Sequence, residues 1–289
     1  MPKPGRERLD EALVSRGLAE SRSQARALVM AGQVRVGGRV VDKPGMPVPA
    51  GAIEVVSGGR FVSRGGDKLQ GALDKFPIET RGLVCADLGA STGGFTDCLL
   101  QAGAARIYAV DVGRGQLHWK IRQDPRVVVM ERQNARYLDG LPEPVALVVT
   151  DVSFISLALI LPTMRKILGA GGQALTLVKP QFEAGREAVG KGGVVRDPAT
   201  HRAVLHHFIE DARRESFAVL GLIASPLRGP AGNVEFLAHL RLADPSESAF
   251  PGADSLVEAA MATLITEPLV LADGEAAEAE SGIESAAHG

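Results

Sequence analysis

From Leu83 onward, short apolar runs alternate with longer segments whose apolar residues recur at helical spacing. Strands are predicted over 83–88, 106–111, 127–131, 145–151, 173–179, 218–225 and 235–242. Helices are predicted between them, over 94–102, 155–168 and 199–216 among others. Runs such as "ALVVTD" and "ALTLVK" are apolar at nearly every position, which suits strands covered on both faces. Alternation of this kind predicts a doubly wound α/β sheet.

The first fifty residues follow a different pattern. Leu9, Ala12, Leu13 and Leu18 fall on one helical face. Ser21 with Gln24 three residues on reads as a capping box that opens a second helix, carrying Ala25, Leu28 and Val29 and ended by Gly32. "QVRVGGRVV" then reads as strand, Gly-Gly turn, strand. Arg22 and Arg26 share a face of the second helix, and Arg35 and Arg39 flank the hairpin turn. The two Gly-Gly pairs of "SGGRFVSRGGDKL" mark a bendable junction, with a new helix beginning near Lys68. The chain therefore divides into a head over 1–59, a linker over 60–66, an α/β body over 67–248 and a tail over 249–289. The tail is acidic and, from Asp273, rich in Ala and Glu without aromatics, a composition expected to be disordered.

Charge sharpens this division. The net charge is only -2, yet residues 1–68 hold 12 Lys/Arg against 7 Asp/Glu, and residues 250–289 hold 8 acids and no Lys or Arg. A basic head on a near-neutral body predicts a polyanionic partner. Cys85 and Cys98 fall at apolar positions, as buried thiols of a reducing compartment. No apolar run has transmembrane length and the N-terminus shows no secretory h-region, so a cytoplasmic protein is expected. His201, His206 and His207 share a helix without a completing ligand and read as a polar surface, so no metal is expected. Trp119 reads as helix packing.

"CADLGASTGGFTDCLL", Cys85 to Leu100, runs from strand through a glycine turn into a helix. Glycines allow a sharp turn and close approach to a ligand, and a helix N-terminus offers free N–H groups. A P-loop would carry Lys and Ser/Thr after its last glycine, where Phe95-Thr96 stands, and the G-x-x-x-G-G spacing is not that of a dinucleotide fingerprint. The turn fits the first motif of S-adenosylmethionine-dependent methyltransferases. Asp111 ends the second strand, where a carboxylate can accept both ribose hydroxyl protons. Asn134 follows the third strand and could read the adenine edge. The other ionisable residues in telling places are Lys68 at the opening of the body, Asp151 and Lys179 at the ends of the fourth and fifth strands, and Glu235 at the start of the last. Strand carboxyl ends line the crevice of an open α/β sheet, so Asp151 and Lys179 should meet there. Burial should lower the Lys179 pKa.

Two lysines and two acids are similar to the Lys-Asp-Lys-Glu tetrad of ribose 2′-O-methyltransferases. A ribose hydroxyl is a poor nucleophile, and its reaction needs loss of the proton and cationic help for the developing alkoxide. Lys179 could supply either. No Asp/Asn-Pro-Pro-aromatic motif follows the fourth strand, and neither Cys follows a Pro, which argues against base N-methylation and cytosine C5-methylation.

The head resembles the S4 RNA-binding domain. The whole pattern, with "FVSRGGDKL", "DLGASTGGFTD", "VDVGRGQLHWKIR", "TDVSFIS" and "LVKPQFEAGRE", resembles the TlyA family over residues 5–245. Members of that family are described both as haemolysins and as ribosomal-RNA 2′-O-methyltransferases. The resemblance implies a Rossmann-like class I methyltransferase sheet and 2′-O-methylation of cytidine in ribosomal RNA, free or in subunits, with S-adenosyl-L-methionine as cofactor and no DNA, membrane or metal partner. It implies catalytic roles for Lys68, Asp151, Lys179 and Glu235. It implies a cofactor site of Asp87, Gly89, Ser91, Gly93, Gly94, Phe95, Asp111 and Asn134. Arg6, Arg8, Arg22, Arg26, Lys43 and Arg64 are the expected RNA contacts. The competing functions are a non-catalytic S4-type assembly protein, which an intact glycine turn and tetrad oppose, and a membrane-lytic protein, for which the chain shows no barrel or amphipathic cationic segment.

Overall fold

Leu9, Ala12 and Leu13 lie on one face of a short helix and are wholly buried, packed with Ala25, Val29 and Val34. The computed structural model describes residues 7–19, 21–48, 53–55, 59–229, 231–243 and 251–266. Its head comprises β1 (Glu7–Arg8), α1 (Leu9–Ser15), α2 (Arg22–Met30), β2 (Val34–Val36), β3 (Arg39–Val40), β4 (Pro47–Val48) and β5 (Ile53–Val55). Ser21 Oγ accepts the Gln24 amide at 3.2 Å, so the cap that opens α2 forms as its sequence dictates. Gly37 and Gly38 take φ of 59° and 81°, the left-handed pair that a two-residue hairpin turn needs. The order β3-β2-β5 makes a three-stranded sheet, and β1 pairs with β4. Leu18, on the apolar face by spacing, lies beyond the end of α1 and is 37% exposed.

The junction departs from the expected bendable linker over 60–66. Phe61 is buried in the core of the body, and α3 (Gly65–Lys75) begins inside the segment. A Cβ on Gly66 would stand 2.3 Å from Phe61 Cγ, so this glycine serves close packing. The Val62 amide donates to Asp97 at 2.8 Å and its carbonyl accepts from Gln33 Nε2 at 3.0 Å. Val62 is thereby tied to the body through its amide and to the head through its carbonyl.

The body contains β6 (Val84–Leu88), α4 (Gly94–Gln101), β7 (Arg106–Asp111), α5 (Trp119–Gln123), β8 (Val127–Glu131), β9 (Val145–Thr150), α6 (Leu161–Ile167), β10 (Leu168–Val178), α7 (Pro180–Glu183), α8 (Pro198–Arg214), β11 (Phe217–Ala224) and β12 (Phe236–Leu242). The sheet order is β11-β12-β10-β9-β6-β7-β8, with β12 antiparallel to both neighbours and the other pairings parallel. Strand alternation sorts the apolar residues into two layers. Cys85, Leu147, Leu175 and Leu237 face Leu69 of α3 and Leu99 of α4. Ala86, Val148, Ala174 and Ala238 face Met164 of α6 and Leu205 of α8. The single helix expected over 155–168 is a 3-10 turn, Leu157–Leu159, followed by α6, whose first turn holds Pro162, where the missing N–H costs no intrahelical bond.

The tail also departs from expectation. Within 249–289, α9 (Ala253–Thr266) folds and packs onto the sheet, with Val257 and Ala260 fully buried. Leu256, Val257, Ala260 and Met261 form an apolar helical stripe that the acidic surroundings obscure in composition. Thr263 Oγ1 accepts the Ala224 amide at 2.8 Å, and Arg202 bonds Glu258 at 2.7 Å. The stretch from Asp273 lies outside the described residues. Among those described, no helix is long and apolar enough to cross a membrane.

Candidate active site

The three glycines of the turn answer to three different neighbours. Gly89 takes φ +88°, and a Cβ there would stand 3.0 Å from the Asp151 carbonyl. Gly93 takes φ +93°, and a Cβ would meet Leu117 at 2.8 Å. Gly94 opens α4 so close to the junction that a Cβ would stand 2.2 Å from Ser63 Oγ. A cavity of about 990 Å³ opens beside the turn, lined by Gly89, Ser91, Gly94, Phe95, Asp111 and Asn134. Gly93 is not on this lining. A side chain at Gly93 would also meet Ile121 at 3.4 Å, so the glycine lets this turn pack closely on the segment that holds Leu117 and Ile121.

Asp87 is likewise displaced from its expected place at the ligand. It is fully buried below the turn and absent from the cavity wall. Its Oδ2 accepts from Thr96 Oγ1 at 2.6 Å, fastening the first turn of α4, and its Oδ1 has no partner. Burial, partly offset by the Thr96 hydroxyl, pushes this carboxyl up to about 7. Asp111 does face the cavity. Its Oδ2 accepts the Ser91 amide at 2.8 Å and its Oδ1 the Gly113 amide at 2.6 Å, so both carboxylate oxygens are oriented by backbone donors. Asn134 Oδ1 accepts the Arg136 amide at 3.0 Å, a short cap that holds its side chain at the cavity edge.

The sheet register assembles the four ionisable residues. β9 and β10 run parallel, so Asp151 and Lys179 leave the sheet at the same edge. β12 runs antiparallel to β10 with Val178 opposite Phe236, which sets Glu235 next to Lys179. Lys68 comes from α3. Lys179 Nζ lies 2.5 Å from Asp151 Oδ1 and 3.0 Å from Ser153 Oγ, and Lys68 Nζ lies 2.5 Å from Glu235 Oε2. All four line the cavity, and Lys68, Lys179 and Glu235 are buried. Burial works against the charge of Asp151, yet Lys179 and Lys68 outweigh it and hold the carboxyl below its ordinary value. Burial also penalises the Lys179 ammonium, but Asp151 and Glu235 outweigh that cost and raise its pKa. The expected depression of Lys179 is therefore reversed, because its strand ends among carboxylates and not in an apolar pocket.

The head reaches the same cavity. Met30, Ala31, Asp42 and Lys43 line it beside Arg64, which packs against Gly32. Arg8 and Arg22 lie away from it. Arg8 is held by both oxygens of the buried Asp10, each at 3.0 Å, and Arg22 bonds Asp10 at 3.2 Å. Burial opposes the charge of Asp10, and the two guanidinium groups outweigh it. Arg26 is exposed on α2, and Arg6 lies outside the described residues.

Residues 61–242 match the FtsJ-like methyltransferase family and residues 7–53 the S4 domain. The 16S/23S rRNA (cytidine-2′-O)-methyltransferase TlyA of Mycobacterium tuberculosis is 48% identical over 241 residues, 82% of this chain and 90% of that protein. The chain belongs to the TlyA family of FtsJ-like methyltransferases. A second relative, provisionally named the rRNA methyltransferase YqxC of Bacillus subtilis, is 51% identical over 81% of this chain and 85% of its own. A solved Streptococcus thermophilus structure, provisionally assigned as a hemolysin, is 44% identical and superposes with a TM-score of 0.69 over 91% of this chain and 98% of that one. The methyl donor of a TlyA-family enzyme is S-adenosylmethionine. The cavity fits it: a Gly89 side chain is excluded, the Asp111 carboxylate is held open toward the space, and the tetrad stands at the other side.

Sequence reasoning passed over Phe154. It takes φ +64°, is 91% exposed and lies 5.1 Å from the Phe182 ring at the cavity wall. A large aromatic next to a strand-end Asp, in "TDVSF", is the signal that could have found it. His201, expected on a polar surface, is buried and bonds the Val195 carbonyl at 3.1 Å.

Proposed function

We propose that this enzyme transfers the methyl group of S-adenosylmethionine to the 2′-hydroxyl of a cytidine in ribosomal RNA, in the cytoplasm. The observation that carries this is the paired tetrad at one end of the cofactor cavity. Asp111 would hold the cofactor ribose and Asn134 its adenine edge, with Gly89, Ser91, Gly94 and Phe95 around the amino-acid end. The cofactor supplies an electrophilic methyl on a sulfonium centre. The hydroxyl proton would pass to water ahead of the new O–C bond, so that negative charge builds on the oxygen as it displaces the sulfur from the methyl carbon.

Of the two roles open to Lys179, its charged surroundings support the cationic one. An ammonium fixed by Asp151 can stabilise the developing alkoxide without first losing a proton. Lys68 and Glu235, paired with each other, would position the ribose. Phe154, exposed at the mouth, is placed to stack on a base drawn out of its helix, as in-line attack on a ribose requires local distortion of the RNA. The head, residues 1–59, would supply phosphate affinity through Arg8, Arg22, Arg26 and Lys43, with Arg64 at the joint. Mapping ribose methylation in ribosomal RNA from cells with and without this gene tests the proposal. A cytidine that loses its 2′-O-methyl group with the gene supports it, and an unchanged map overturns it.

A further inference from the structure

Trp119 is the one tryptophan of the chain, and it does not pack into the body as its place on a helix suggests. It is 59% exposed. Leu117 and Ile121 take the buried positions behind Gly93 and turn the indole outward. The His118 ring lies 5.9 Å away at an interplanar angle of 30°, and Lys120 Nζ stands 5.8 Å from the indole centroid.

A single exposed aromatic decides nothing, since large apolar groups often stand alone at a surface. Its setting is what bears on function. Ser23 of α2 donates to the Gly115 carbonyl at 3.2 Å, so the turn carrying Trp119 abuts the head helix that carries Arg26. Arg26, Arg114 and Lys120 are exposed and make no ion pair among the described residues. The acid facing this turn, Glu131, bonds Arg122 and the Gly115 amide and feels the charge of Arg114 without bonding it, so the cations outnumber it. A flat ring among exposed cations suits an unpaired base with its flanking phosphates. A lipid surface would call for several apolar side chains side by side.

We infer that the turn from Arg114 to Arg122 is a second RNA-docking surface, on the body and continuous with the head, where Trp119 stacks on an unpaired base and Arg114 and Lys120 take the adjoining phosphates. This rests on the reading of the enzyme as acting on RNA.

The sole tryptophan makes the test direct. The full-length protein is excited at its indole and titrated with protein-free ribosomal RNA, and RNA affinity is measured for the wild type, Trp119→Ala and Trp119→Phe. The expected result is quenched emission, an affinity loss of about 5- to 150-fold in Trp119→Ala, and recovery of most of it in Trp119→Phe. S-adenosylhomocysteine affinity should stay the same in both variants, which excludes a folding defect. Unchanged emission at saturating RNA, or wild-type RNA affinity in Trp119→Ala, overturns the inference. So does emission that responds to anionic lipid vesicles and not to RNA. Methyl transfer by the wild type to ribosomal RNA is followed in parallel: a silent Trp119 with intact transfer sinks this surface alone, whereas absent transfer sinks the function on which it rests.

Discussion

Replacing Asp87 by Asn changes one buried group and leaves its shape. Burial pushes the Asp87 carboxyl up to about 7, from an ordinary value of 3.8. Between those values the folded protein holds a proton that the unfolded chain has released. Stability therefore declines as pH rises from about 4 to about 7, by about 1.4 kcal/mol per unit and roughly 4 kcal/mol in all. The side-chain amide of the Asp87→Asn variant cannot titrate. Its carbonyl keeps the bond from Thr96, while its NH₂ group places donors where Oδ1 already lacks a partner, at a cost of about 1–3 kcal/mol at every pH. The two effects separate by their pH dependence. In thermal melts, the variant should be less stable than the wild type near pH 4.5 and at least as stable near pH 8. The difference in Tm between the two proteins should swing by roughly 10 °C across that range, at about 2–4 °C per kcal/mol for a domain of this size. Parallel Tm curves for the two proteins would refute a raised Asp87 pKa and return Asp87 to the role of an ionised ligand group.

Other outcomes follow from the same geometry. Asp111→Ala removes the acceptor for the Ser91 and Gly113 amides, so S-adenosylhomocysteine binding should fall at least about tenfold in calorimetry, with about 1–2 kcal/mol of stability; unchanged affinity removes Asp111 from the site. Glu235→Gln leaves the Lys68 ammonium buried without its anion and should lower stability by about 3 kcal/mol in denaturant titration, the lower end of the range because Lys68 keeps some exposure; an unchanged midpoint means the pair is not buried in solution. Arg22→Ala with Lys43→Ala should weaken RNA binding and flatten its salt dependence by up to about two units of log–log slope while cofactor affinity holds; an unchanged slope means that neither residue meets a phosphate.

The apolar runs set most of the sheet in the sequence. Near-continuous runs such as "ALVVTD" leave only a strand buried on both faces, and six of the seven strands lie within one residue of their predicted limits, while β10 starts five residues early, at Leu168. The tetrad was legible for the same reason: Asp151 and Lys179 end neighbouring parallel strands, and Glu235 starts the strand beside Lys179. What escaped depends on contacts distant in sequence. The Lys179 pKa reads as depressed from its apolar strand, but the decisive groups are Asp151 and Glu235, brought in by register. Gly66 looks like a hinge glycine until Phe61 is seen against it, and the packing of Leu117 against Gly93 is equally invisible in the sequence. The α9 stripe of Leu256, Val257, Ala260 and Met261 was hidden in an acidic composition, which reports average polarity and not periodicity. Trp119 could not be turned outward without knowing that Leu117 and Ile121 occupy the space below.

Single-turnover methyl transfer to ribosomal RNA by the wild type and by Lys179→Ala, with the labelled product digested in alkali, bears most directly on the tetrad chemistry. A 2′-O-methyl group blocks alkaline cleavage of the following phosphodiester, so label on a ribose survives in a dinucleotide and label on a base does not. The wild type should place its label in an alkali-resistant dinucleotide beginning with cytidine. Lys179→Ala should transfer about a hundred- to ten-thousand-fold more slowly while binding cofactor and RNA with unchanged affinity. Label released in mononucleotides, or a Lys179→Ala protein that transfers at the wild-type rate, would contradict a ribose-directed tetrad with Lys179 at its centre.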